Sequence, residues 1–159
     1  MALCAWVFFF LLLALFFNYW SKEYRMNTHP KTLIVNGIKK TIIKRNAQNQ
    51  YISDGFVNDK PVLFLLDTGA TEVVVPGKLA QSLQLKQGLE GVASTAGGHV
   101  RVYDTRINNL KVGNIELTEV NAVINPSMSG EEILLGMSAL RRVTLMMDGD
   151  NLIITNKQN

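Results

Sequence analysis

Residues 62–70 read VLFLLDTGA, an apolar run that delivers a carboxylate, Asp67, directly into Thr68-Gly69. A strand with apolar residues on both faces is a buried strand, and burying a carboxylate without partners is costly. Asp67 is therefore expected either to be held by hydrogen bonds or to do chemistry that uses a carboxylate in such a place. Gly69 lets the backbone turn tightly and bring its N–H close to the acid. The work a carboxylate does in such a place is proton transfer, as a general acid or base. Taken alone, Asp-Thr-Gly is also an ordinary turn at a strand end.

Two other segments stand out. Residues 133–140 read ILLGMSAL, an apolar strand that carries Leu134 and Leu135, ends at Gly136 and runs into a short helix. Residues 93–103 read ASTAGGHVRVY, where Gly97 and Gly98 interrupt strand residues as the tip of a hairpin. The remaining carboxylates are less suited to catalysis: Asp54, Asp59, Asp104, Asp148 and Asp150 lie in polar or turn-like stretches, and Glu131-Glu132 reads as a solvated loop. His29 and His99 are far apart with no other ligands nearby, and Cys4 is the one cysteine, so no metal centre, cofactor or intrachain disulfide is expected.

These segments need strands to hold them. Residues 32–45 place two β-branched runs about Asn36-Gly37, residues 51–66 place two more about Asn58-Asp59-Lys60, and residues 143–155 form a last hairpin about 148–151. Short extended segments follow at 73–75, 100–107, 110–117 and 120–124, with Gly91, Gly97, Gly98 and Gly113 between them. Only 77–83 and 137–142 read as short helices. Many short strands with turn residues between them predict an all-β domain, closed or sandwich-like. The 159 residues suffice for one domain.

The N-terminal segment differs in kind. Residues 2–20 read ALCAWVFFFLLLALFFNYW, and about 20 apolar residues at 1.5 Å each match a bilayer core of roughly 30 Å. No Lys or Arg precedes the run and no small-x-small pattern follows it, which favours a retained transmembrane helix over a cleaved signal. Tyr19 and Trp20 fall at the membrane boundary, with Lys22 and Arg25 just beyond. The expected organisation is an anchor at 1–21, a polar tether with Pro30 at 22–31, and a folded domain at 32–159. Those two cations alone would leave the domain in the cytoplasm. The net charge of +3 is spread along the chain without a basic stripe, so no nucleic-acid partner is expected.

The order of these segments resembles the retropepsin-like (clan AA) aspartic proteases, most closely their bacterial, membrane-tethered members. The resemblance covers about 52–154 and is carried by FLLDTGAT (64–71), STAGG (94–98), NLKVGNIELTEVNAVI (109–124) and LLGMSAL (134–140). It implies a retropepsin-like closed β barrel or sandwich with one or two short helices, here preceded by one N-terminal transmembrane helix. Position by position it implies that Asp67 is the catalytic aspartate and that Thr68 ties two active-site loops together. Gly69 and Ala70 belong to that loop, Gly97 and Gly98 to a flap, and Leu134, Leu135 and Gly136 to a strand threading behind the loop. Glu72 and Gly98-His99 depart from the family's more usual polar residues, which bears on substrate preference.

Peptide hydrolysis in that family needs two carboxylates sharing one proton, and this chain supplies one, so the resemblance implies a homodimer with Asp67 from each copy. The expected protein is a membrane-anchored aspartic endopeptidase acting on a peptide or protein substrate, a single-pass inner-membrane protein with its domain in the periplasm. The alternative is a catalytically silent peptide-binding or assembly module of the same fold. Replacing Asp67 by Asn separates the two, since only the enzyme loses its function.

Overall fold

The computed structural model describes residues 6, 9–16, 28–95 and 97–157. Three short turns start its strands. Strands β1 (Lys31–Val35) and β2 (Ile38–Lys44) meet at Asn36 and Gly37, whose φ angles of 51° and 78° are the left-handed pair of a two-residue hairpin turn. Asn58 and Asp59, at 48° and 63°, do the same between β3 (Ile52–Val57) and β4 (Lys60–Leu66). Gly149, at 57°, turns β10 (Val143–Asp148) into β11 (Asn151–Asn156). All three turns fall where the sequence placed them.

The remaining elements are β5 (Val73–Pro76), α1 (Gly77–Ser82), β6 (Glu90–Thr95), β7 (Gly98–Val112), β8 (Ile115–Asn125), β9 (Glu132–Leu135) and α2 (Met137–Leu140). The sheet order β3-β4-β9-β5-β8-β7-β6 closes on itself because β3 also pairs with β7, from Gly55↔Val112 to Val57↔Leu110. Closure requires Gly55, since a Cβ there would stand 2.3 Å from the Lys111 carbonyl oxygen and 2.6 Å from the Phe64 ring. Inside the barrel Phe64, Val57, Val73, Ile107, Leu110 and Ile133 are fully buried. The all-β, closed architecture agrees with expectation.

A second sheet, β1-β2-β11-β10, covers one side of the barrel. Its inner face carries Thr41, Ile43, Leu152 and Ile154, all buried. Thr41 Oγ1 donates to Asn114 Oδ1 at 2.8 Å, and Asn114 in turn donates from Nδ2 to the Leu33 carbonyl at 3.1 Å, tying this sheet to the β7–β8 turn.

Several boundaries differ from the sequence reading. The segments expected at 100–107, 110–117 and 120–124 are two long strands, β7 of 15 residues and β8 of 11. Asn109, which reads as a turn residue, stays in the ladder opposite Thr118; its N–H donates to Asn58 Oδ1 and its Nδ2 to Glu116 Oε1. Both helices stop short of the expected 77–83 and 137–142. The tether expected at 22–31 is drawn into the domain at its end: Lys31 opens β1, Thr28 is buried and its carbonyl accepts the Asp54 N–H at 2.9 Å, and His29 Nδ1 lies 2.6 Å from Asp54 Oδ2.

Residues 22–27, like 1–5, 7–8 and 17–21 of the expected anchor, lie outside the described residues. Within that anchor, residues 9–16 are helical with exposed side chains. Among the described residues no helix is long and apolar enough to cross a membrane.

Candidate active site

Strand β4 brings Asp67 to its place. It runs parallel to β9, from Leu63↔Glu132 to Leu66↔Leu135, and the ladder's last bond is the Asp67 N–H to the Leu135 carbonyl at 3.2 Å. There the chain leaves the sheet, and the Asp67 side chain turns out of the wall. Gly69 N–H donates to Asp67 Oδ1 at 2.8 Å, and a Cβ on Gly69 would sit only 3.1 Å from that oxygen. The carboxylate is hydrogen-bonded, as expected, but in the single chain it is half-buried, because β4 ends one residue before it. Thr68 and Gly69 are exposed beside it and Ala70 is half-buried.

The loop is held from behind. Strand β9 passes under it, and Gly136 lies so close that a Cβ would stand 2.1 Å from the Glu72 carbonyl oxygen and 2.8 Å from that of Ala70. The first turn of α2 then gives its N–H groups to the loop: Met137 donates to the Ala70 carbonyl at 2.8 Å and Ser138 to that of Thr71 at 3.0 Å. Ser138 Oγ accepts the Val73 N–H at 3.0 Å and donates to the Asn121 carbonyl at 2.7 Å. Leu134, Leu135 and Gly136 therefore run behind the loop, and Ser138, which the sequence reading passed over, fastens it to β5 and β8. Its one sequence signal is a hydroxyl two residues after Gly136 in an otherwise apolar segment.

In front of Asp67 lies a groove of about 740 Å³, bounded by the loop on one side and by β6 and β7 on the other. Its apolar wall includes Val74, Val92, Val102 and Leu134. Glu72 and Asp104 line it too, and no Lys, Arg or His is among the described residues that do so. Asp104, set aside in the sequence reading as polar and turn-like, is in fact in the middle of β7.

Strands β6 and β7 form a hairpin in register from Glu90↔Tyr103 to Thr95↔Gly98. Gly97 and Gly98 are at its exposed tip, past Thr95, the last residue to line the groove on that strand. Gly98 has φ 109°, a conformation that L side chains rarely adopt, and Thr95 Oγ1 donates to its carbonyl at 2.8 Å.

A carboxylate at the open floor of an apolar groove, with a strand pair above it, has the form of a site for an extended chain of amide groups. Residues 53–142 match the family described as gag-polyprotein putative aspartyl protease. Among solved structures, a retropepsin-like aspartic protease from Rickettsia conorii is similar with a TM-score of 0.60 at 28% identity, over 72% of this chain and 97% of that one. EIAV protease in complex with the inhibitor HBY-793 shares the fold, with a TM-score of 0.51 at 20% identity over 62% of this chain and 92% of that one. No curated protein sequence matches this chain.

Proposed function

Because the chain belongs to the gag-polyprotein putative aspartyl protease family, we propose that it is an endopeptidase in which Asp67 carries the reaction. The observation that supports this most is the Asp67 carboxylate itself, fixed by the Gly69 N–H at the floor of a groove of about 740 Å³. One carboxylate cannot serve as acid and base in the same step, so the working unit is a homodimer in which two Asp67 side chains face each other across a twofold axis. The half-exposed Asp67 and the exposed Thr68 of the single chain are the surfaces that a second copy would cover.

In that dimer one carboxylate, ionised, takes a proton from a water molecule as its oxygen bonds to the scissile carbonyl carbon. The other, protonated, gives its proton to the carbonyl oxygen. The newly protonated carboxylate then gives its proton to the amide nitrogen while the other takes one from a hydroxyl of the tetrahedral intermediate, the C–N bond breaks to give a carboxylic acid and an amine, and the pair is again one acid and one base. The β6–β7 hairpin closes over the peptide and keeps other water away.

The chain is further proposed to be tethered to the inner membrane by residues 1–21, with the domain in the periplasm, a reading supported by the apolar run alone and by the resemblance. A C-terminal reporter active only outside the cytoplasm checks it, and a signal confined to the cytoplasm would reverse it.

The test of the enzyme reading is cleavage of an unfolded protein by the purified chain, followed by mass spectrometry of the products. Asp67→Asn is expected to abolish cleavage while leaving the fold unchanged. A native chain that binds unfolded protein and never cuts it would instead make the domain a silent peptide-binding module.

A further inference from the structure

We propose that the outer face of the β1-β2-β11-β10 sheet lies on an anionic lipid surface. Registers fix which residues share that face. Lys31, Ile42, Ile153 and Met146 stand in one row across the four strands, Leu33, Lys40, Thr155 and Thr144 in the next, and Val35 and Ile38 beside the turn. The opposite face of the same strands holds Thr41, Ile43, Leu152 and Ile154, which are buried against the barrel. Outward, then, the sheet presents Leu33, Val35 and Met146 to solvent beside the half-buried Ile38, Ile42 and Ile153. Leu33 is 50% exposed, Val35 41% and Met146 53%.

A sheet needs one apolar face to join a core; a second one exposed to solvent calls for an occupant. The charges say which. Residues 22–53 carry seven Lys and Arg against Glu23 alone, whereas residues 54–159 carry nine against twelve acids. On the outer face itself Lys31, Lys40 and Lys44 are interspersed with the apolar side chains, and Asp148 is the one acid among the described residues there. A second copy of this face would set lysines against lysines. Lipid phosphates would pair with them, while the apolar side chains enter the boundary between headgroups and acyl chains.

Placement agrees. Ten residues lie between Trp20 and Lys31, a stretch of eleven Cα-to-Cα steps that spans at most about 40 Å when extended. The packing of Thr28 and His29 on β3 fixes where that tether meets the domain. This inference rests on the tethered reading given above, and it adds an orientation: the sheet rests against the bilayer.

The experiment uses the full chain in a Cys4→Ser background with one nitroxide label, on Leu33→Cys, Met146→Cys or Gln81→Cys, the last an exposed residue of α1. Each is reconstituted into vesicles of phosphatidylcholine with or without phosphatidylglycerol. Flotation reads the tether; relaxation of the label by a water-soluble nickel chelate reads the sheet. Labels at 33 and 146 are expected to be several-fold less accessible to nickel than the label at 81 when phosphatidylglycerol is present. That protection should vanish in the triple variant Lys31→Glu, Lys40→Glu, Lys44→Glu. Equal accessibility at all three sites in a chain that floats would overturn the sheet's docking and leave the tether standing. A chain that does not float would remove both. Protection that is the same without phosphatidylglycerol would overturn the need for an anionic surface, and protection at 33 and 146 that persists in detergent without lipid would assign the face to a second copy.

Discussion

If Asp67 of each of two copies carries the proposed reaction, one carboxylate must be ionised and the other protonated at the same time. Such a pair works only over the pH interval in which one proton is shared between the two. Below that interval no base is left; above it no acid is left. The rate of peptide cleavage is therefore expected to trace a bell with its maximum at acid pH, and a rate that climbs through neutrality and stays high would exclude proton sharing. Gly136 is the second residue that decides the site. Its missing Cβ makes room for the Glu72 and Ala70 carbonyls, neither of which is free to retreat because the loop is bonded to α2. Gly136→Ala is expected to cost about 3 kcal/mol in urea unfolding, and a loss under about 1 kcal/mol would mean that the loop yields. At this scale the sequence was informative about types and silent about neighbours. Asp67, Gly69 and Gly136 stand out because an acid or a glycine interrupts an apolar run. Ser138, Gly55 and Asp104 do not, because their importance comes from Asn121, Lys111 and the groove, which lie 17, 56 and about 37 residues away in the chain.

At the scale of elements, the β6–β7 hairpin is the one that would have to open for a peptide to enter the groove. Its tip projects past the groove, and a Cβ at Gly98 would meet nothing within 4 Å, so the demand for glycine there is one of backbone angle alone. Gly98→Val is expected to slow turnover by about tenfold through altered opening and closing, with a fall of only a few degrees in the thermal unfolding midpoint from strain confined to the exposed tip. Unchanged kinetics would reduce the hairpin to a turn. Hairpins were legible at Asn36-Gly37 and Asn58-Asp59, where left-handed angles fall between β-branched runs, but not at Gly113, φ 58°, which lies inside the segment expected as one strand at 110–117. They were misread where polar residues continue a strand. Asn109 looks like a loop residue, yet two side-chain hydrogen bonds from a neighbouring turn and strand hold it in β7. Closure of the barrel is a pairing between β3 and β7, more than fifty residues apart in the chain, and no local pattern announces it.

For the whole molecule the decisive quantity is association. If each copy supplies half of the acid pair, an excess of Asp67→Asn chains mixed with native chains is expected to suppress activity beyond simple dilution, because mixed dimers have one titratable partner and one amide. Activity that merely follows the amount of native chain, with sedimentation showing monomers, would exclude the shared site. Confinement of two tethered chains to one plane raises their effective concentration and favours the paired state. The threading of β9 beneath the acid's loop has a further consequence, for the order of events in synthesis. Until residues 135–138 emerge from the ribosome and fold back, the Asp67 N–H and the carbonyls of Ala70 and Thr71 lack their partners, and the loop has nothing behind it. A half-made chain thus carries the aspartate but not the geometry. The connectivity itself therefore leaves the loop unsupported during translation until residues 135–138 have been made.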